Sequence, residues 1–137
     1  MKTNLLLIIL GLLLIGCGSN DGSAGEPPTI SIAITSGGNL EKTENKVAFI
    51  ERTGGNVPVK FSFTTPGGYD RSTYRSQFTY GPAFLNGAID IENDKLSGTF
   101  SVEYVGPVTS PTTGEEATFA VFDQFNQKDS LTIFFTK

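Results

Sequence analysis

The residue of this chain best placed for covalent chemistry is Cys17, the only cysteine among 137 residues. It follows Gly16 at the end of an apolar run over residues 5–15, and Lys2 precedes that run. A basic start, a short apolar stretch and small residues at its end are typical of a secretory signal. The run is also too short to cross a bilayer as a helix, which needs about 20 apolar residues. The pattern therefore predicts a segment that is removed rather than one that spans the membrane.

The sequence Leu14-Ile15-Gly16-Cys17 resembles the lipobox of bacterial lipoproteins, in which a small residue precedes the modified cysteine. The resemblance implies that residues 1–16 are a signal peptide and that Cys17 carries lipid, including palmitate, on its sulfur and its new amino terminus. It also implies a lipid anchor in the cell outer membrane, since Gly18 rather than Asp follows the cysteine; whether the domain faces the periplasm or the surface stays open. Residues 17–28 are then the lipidated cysteine and a flexible tether, because they contain no apolar side chain able to join a core.

The remaining composition excludes several classes of function. The chain has no histidine, so it lacks an imidazole ligand or general base. With its only thiol expected to carry lipid, it also lacks a thiolate nucleophile, and both Ser-His-Asp and Cys-His hydrolysis are removed. Loss of Lys2 with the signal leaves 9 basic and 14 acidic residues, and the basic ones are scattered. Nucleic acid is therefore not an expected partner, because its phosphates require clustered Lys and Arg. No cofactor is predicted.

The first candidate binding site is an aromatic stretch over residues 69–84. Three tyrosines within it, Tyr69, Tyr74 and Tyr80, are accompanied by Arg71 and Arg75. Tyrosine offers a large contact area at low entropic cost, so exposed rings here would recognise a glycan or a loop of a protein partner. The alternative interpretation is a strand whose aromatic side chains lie in the core.

A second candidate site lies where a predicted strand ends in a polar turn. Asp90, Glu92, Asn93 and Asp94 supply several oxygen atoms within five residues, and calcium prefers oxygen ligands. The segment lacks the EF-hand pattern, and the same residues fit the wet face of a strand followed by a turn. Asp90, Glu92 and Asp94 are thus weak metal candidates, and the preferred expectation is no metal.

The fold class follows from a hydrophobic period of two. Such alternation predicts strands with one buried face and one wet face. Gly, Pro, Asn and Asp separate these runs, and no segment has a period of 3.6. The sequence therefore predicts an all-β sandwich of about 7–8 strands over residues 29–137. The alternating runs lie at residues 30–34, 47–51, 57–64, 89–92, 96–104, 117–123 and 131–136.

The later part of the chain resembles the immunoglobulin-like domains of bacterial envelope lipoproteins. Residues 59–68 (VKFSFTTPGG) are similar to an early core strand and its turn, and residues 96–102 (LSGTFSV) to a middle strand. Residues 117–126 followed by 130–133 are similar to the terminal hairpin, except that Phe125 stands where glycine is common. The resemblance implies an immunoglobulin-like sandwich and no enzyme activity.

Together these patterns predict a lipid-anchored protein of the cell envelope that acts as a non-enzymatic binding or structural module. Two alternatives remain open: a carbohydrate-recognition module that uses surface tyrosines, and a calcium-stabilised adhesion domain. Glycoside hydrolysis would need two carboxylates across a cleft, which a single small sandwich seldom builds.

Overall fold

The structure, a computed structural model, describes residues 25–77, 85–105 and 116–136. These residues form nine β-strands and no helix, which confirms the prediction of an all-β sandwich. The strands are β1 (Thr29–Ile34), β2 (Gly38–Glu44), β3 (Val47–Arg52), β4 (Asn56–Thr64), β5 (Tyr69–Gln77), β6 (Leu85–Ile91), β7 (Ser97–Val105), β8 (Glu116–Asp123) and β9 (Lys128–Phe135).

Two sheets form the layers of the sandwich. One has four strands in the order β1-β4-β7-β6, and the other has five in the order β2-β3-β9-β8-β5. Neighbours are antiparallel except β3 and β9, which run parallel with Val47 opposite Thr132. The last strand, β9, therefore lies between β3 and β8 and is not an exposed edge of its sheet.

The core lies between the sheets and is built by the alternation seen in the sequence. In β4, the residues at alternate positions from Val57 to Phe63 are buried, whereas Lys60 and Ser62 are exposed. Phe119 lies at the centre of this core, with its ring centroid 4.8 Å from that of Phe100 and 5.1 Å from that of Phe61. Aromatic pairs at such distances contribute about 0.5–1.5 kcal/mol each beyond the burial of their area.

The edge strand β2 is the element that the sequence did not reveal. Its residues are exposed at nearly every position, so they carry no alternation that would predict a strand. Glu41, Lys42 and Glu44 place charges along this edge, and a shift of register interrupts the pairing between Leu40 and Lys42. Charges and bulges at an edge strand oppose pairing with another chain.

The turns at one end of the sandwich are joined to one another. The amide N–H of Thr65 donates to the carbonyl of Leu96 at 2.7 Å, and that of Gln124 donates to the carbonyl of Gly68 at 2.9 Å. Thr29, the first residue of β1, pairs with Thr64 at this same end. We call this end, where the chain enters β1 and the β4–β5, β6–β7 and β8–β9 turns meet, the base of the sandwich.

Candidate functional site

Two of the three tyrosines proposed as ligand contacts turn toward the core. The ring of Tyr69 lies 5.8 Å from that of Phe63, and the ring of Tyr74 lies 5.2 Å from that of Phe100. Both rings are partly buried and pack against the core cluster. Burial raises the pKa of the Tyr74 hydroxyl above its usual value. These two rings do not form the exposed row that carbohydrate recognition would require.

A β-bulge explains the orientation of Tyr69. Tyr69 faces Asp123 of β8 and Arg71 faces Phe122, so the register shifts at Asp70. Because of this extra residue, Asp70 and Arg71 are both exposed, and the side chain of Ser72 again faces inward. The Tyr69 hydroxyl then lies 3.1 Å from the Ser72 hydroxyl. Tyr80, the third predicted contact, lies outside the described residues, as does Cys17, the predicted lipid-attachment site.

The acidic segment proposed as a metal site forms the β6–β7 turn. The amide N–H of Lys95 donates to the carbonyl of Glu92 at 2.9 Å, and Lys95 has a φ of 59°. The carboxylate of Asp94 accepts a hydrogen bond from the amide N–H of Leu96 at 2.9 Å. Asp90 belongs to β6 and pairs with Thr99. Within residues 25–77, 85–105 and 116–136, no group of three or more Asp, Glu, Cys or His side chains is arranged to hold a metal ion.

The most distinctive surface is a shallow depression on the outer face of the five-stranded sheet, which we call the outer groove. Its volume is about 430 Å³, and residues of β5, β8 and β9 line it. Arg75, Glu116 and Lys128 place charges of both signs around it, while Thr118 and Ser130 supply hydroxyl groups. The groove therefore combines these polar groups with apolar surface from Ala120 and Phe122.

An aromatic side chain forms one wall of the outer groove. Phe122 is half-buried, and the guanidinium of Arg71 lies 4.1 Å from the centre of its ring. Arg71 also donates to the side-chain oxygen of Asn126 at 2.8 Å and contacts the carboxylate of Asp70. The face of an aromatic ring attracts a cation electrostatically, so this contact stabilises the position of Arg71. The sequence points to Arg71 and Arg75 as candidate contacts, but not to Phe122 or Lys128. Phe122 follows the inward-facing Val121, so strand alternation would have placed its ring on the outer face.

A buried carboxylate organises the base. Asp123 is fully buried and accepts hydrogen bonds from the amide N–H groups of Phe125 and Gln127 at 3.0 and 2.8 Å. The side-chain amide of Gln127 donates both to Asp123, at 2.9 Å, and to the carbonyl of Gly25, at 3.1 Å. Asp123 thus holds the β8–β9 turn, and Gln127 ties that turn to the segment that enters the domain.

Comparison with known proteins identifies no relative: no protein-family model, curated protein or solved structure matches this chain. Within the part of the chain that the structure describes, there is no helix with the length and apolar character needed to cross a membrane.

Proposed function

We propose that this chain is a lipid-anchored protein of the cell envelope whose β-sandwich serves as a non-enzymatic binding or structural module. Cys17 is its point of attachment to the outer membrane, and residues 1–16 are the signal removed before that cysteine. The domain carries no cofactor, and nucleic acid is not among its partners.

The observation that carries the proposal is the short distance in sequence between Cys17 and the folded domain. Gly25 already contacts Gln127, and β1 begins at Thr29. A lipid-modified cysteine with multiple acyl chains would anchor the protein stably, because each buried methylene contributes about 0.8 kcal/mol. The sandwich would then be held next to the lipid surface.

An immunoglobulin-like classification belongs to the same proposal and rests on strand order. In that fold one sheet has the order A-B-E-D, and the other contains C, F and G. The sheet β1-β4-β7-β6 has the first order when its strands are equated with A, B, E and D. The neighbours β5, β8 and β9 correspond to C, F and G. On this assignment β2 and β3 form an added hairpin at the G edge.

The outer groove is the binding surface that best suits this module. Its mixture of charges, hydroxyl groups and one aromatic wall fits a polar protein or glycan partner. The carbohydrate alternative based on Tyr69, Tyr74 and Tyr80 loses support from the first two, whose rings pack on Phe63 and Phe100. The calcium alternative gains no support from the β6–β7 turn, where the described acidic side chains form no group arranged to hold a metal ion.

The experiment that tests the proposal compares the wild-type chain with a Cys17→Ser variant in a bacterial host. The wild type should fractionate with membranes and migrate as the processed form. The variant should accumulate as a longer precursor, because the cysteine is required for modification and cleavage. A Ser19→Ala variant changes a residue two positions away and should behave as the wild type. Identical processing of the Cys17→Ser and wild-type chains would overturn the proposal.

A further inference from the structure

Two exposed apolar side chains belong to turns at the base of the sandwich. Leu96 is 45% exposed and Phe125 is 43% exposed, although they belong to different turns. Both contact the β4–β5 turn. The carbonyl of Leu96 accepts from Thr65, and a Cβ on Gly67 would lie 2.8 Å from the Phe125 ring. The base therefore presents apolar surface from two elements around a single turn.

The position of Leu96 follows from the alternation of β7. Gly98, Phe100 and Val102 are buried on the core side of that strand. Leu96 lies two positions before Gly98, just outside the strand, and so belongs to the same alternating set. Its side chain accordingly lies where the core reaches the end of the sandwich, with nearly half of its surface open to solvent. An apolar side chain in this position gains free energy when an apolar phase covers it.

The chain also enters the domain at the base. Gly25 is held there by Gln127, and Cys17 lies eight positions earlier. Eight flexible residues span only about 16 Å on average, whereas the nine-residue strands of the sandwich are about 30 Å long. A lipid on Cys17 would therefore hold the base, and not the opposite end, nearest to the bilayer.

We propose that the base of the sandwich rests on the lipid surface, with Leu96 and Phe125 inserted at the level of the headgroups. This inference rests on the lipid attachment proposed above. Two side chains alone bind a membrane weakly, but the tether makes the contact intramolecular and raises its effective concentration. The protein thus stands upright on the membrane in one preferred orientation.

The charges of the base indicate that the contact is apolar. Lys46 is paired with Asp129, and Arg71 with Asp70. Other exposed charges of both signs, such as Lys95 and Asp94, follow one another in the β6–β7 turn. The entering segment and the turns of the base themselves carry Glu26, Glu92 and Asp94 against Lys95. No basic patch therefore attracts the base to anionic lipid, and we expect added salt not to weaken the contact.

The test uses the absence of tryptophan from the chain. Phe125→Trp and Leu96→Trp each place one fluorescent reporter at the base, while Leu40→Trp places one at a residue 42% exposed and opposite Ile50, near the other end. Each full-length protein is purified from membranes and its acylation is checked by mass. It is then reconstituted into phosphatidylethanolamine–phosphatidylglycerol vesicles whose acyl chains carry bromine close to the headgroups. Bromine quenches only reporters that reach the lipid.

We expect quenching of both base reporters to exceed that of Leu40→Trp several-fold, and not to fall when salt is added. Equal quenching at all three positions, in protein shown to be acylated, would overturn the inference and leave the lipid attachment intact. A chain that carries no lipid would instead overturn the proposed attachment, and this inference would fall with it.

Discussion

Asp123 and Gln127 are joined by three hydrogen bonds across the β8–β9 turn. The backbone and side-chain N–H groups of Gln127 donate to the two carboxylate oxygens, and the amide N–H of Asp123 donates to the carbonyl of Gln127 at 3.1 Å. Because Gln127 also binds the carbonyl of Gly25, the pair connects the terminal hairpin with the entering segment. The terminal hairpin and the segment that enters the domain therefore meet at one buried acid.

Replacing this acid tests whether it organises the base. Asp123→Ala leaves three N–H donors without their acceptor and should lower the free energy of unfolding by about 2–4 kcal/mol. Asp123→Asn keeps one carbonyl oxygen and should cost about half as much. Urea denaturation followed by far-ultraviolet circular dichroism measures both. A loss below about 1 kcal/mol for Asp123→Ala would contradict the role assigned to this carboxylate.

A second prediction concerns the aromatic core. Phe119 is 1% exposed and its ring contacts those of Phe61, Phe63 and Phe100. Phe119→Ala should cost about 3–5 kcal/mol, because it removes these contacts and leaves a cavity. Phe125→Ala is the matched control, since Phe125 lies at the surface with 43% of its area exposed, and its loss should change stability by about 1 kcal/mol or less. Equal losses for the two variants in denaturant titrations would refute this distinction.

A third prediction follows from the raised pKa of Tyr74. The native state keeps this hydroxyl protonated, whereas the unfolded chain releases the proton near pH 10. Above that pH the unfolded state binds fewer protons, so the stability supplied by Tyr74 is complete below pH 10 and declines as the pH rises. Tyr74→Phe should therefore make the alkaline loss of stability shallower. Equilibrium unfolding at a series of pH values up to about 11.5 checks this, and parallel alkaline profiles for the two proteins would show it to be wrong.

A fourth prediction separates the sandwich from a calcium-stabilised domain. The described acidic residues of the β6–β7 turn form no three-ligand cluster, and the Asp94 carboxylate accepts from Leu96. The melting temperature should therefore be the same in calcium and in chelator. Asp94→Asn serves as the comparison, since it retains the oxygen that caps the turn. A calcium-dependent rise that disappears in this variant would establish the site that we do not expect.

Alternation predicted most of the strands because each sheet has one dry face. In β4 and β7, the sequence alone predicts which side chains face the core, and it correctly predicts the burial of Phe61 and Phe100. Ile89 shows the limit of this reasoning: it shares the phase of Ile91 but is 43% exposed, because β6 is an edge strand with a shifted register. Alternation predicts which face of the sheet a side chain lies on. Its burial also depends on the neighbouring strands, which are known only from the topology of the sheet.

Phenylalanine supplies the largest fully buried side chains of the core, but not every phenylalanine lies there. Phe61, Phe63, Phe100, Phe119 and Phe135 are buried, but Phe49 and Phe134 lie on the outer face, with ring centroids 5.7 Å apart. The β8–β9 turn shows a related limit. Phe125 stands where glycine is common in the hairpins that this segment resembles, yet the positive φ of this turn, 61°, belongs to Asn126. Asparagine tolerates that conformation, so glycine is not required here.

The candidate site was the least predictable part, because its members come from separate strands. The sequence identifies residues 69–84 as rich in aromatic residues. The bulge at Asp70 that turns Tyr69 inward, however, has no signature in the sequence. The outer groove requires Arg75 of β5, Glu116 of β8 and Lys128 of β9 to line one depression, which depends on the pairing of these three strands. Register between distant strands is set by the whole sandwich and not by any one segment.

The central claim is that Cys17 becomes the lipid-bearing first residue of the mature protein. The most direct measurement is the mass of the amino-terminal peptide from protein purified out of membranes. We predict a peptide that begins at Cys17 and carries the added mass of acyl chains on its sulfur and its amino group. An unmodified peptide that retains residues 1–16, or a mature protein that begins at any other position, would contradict the claim.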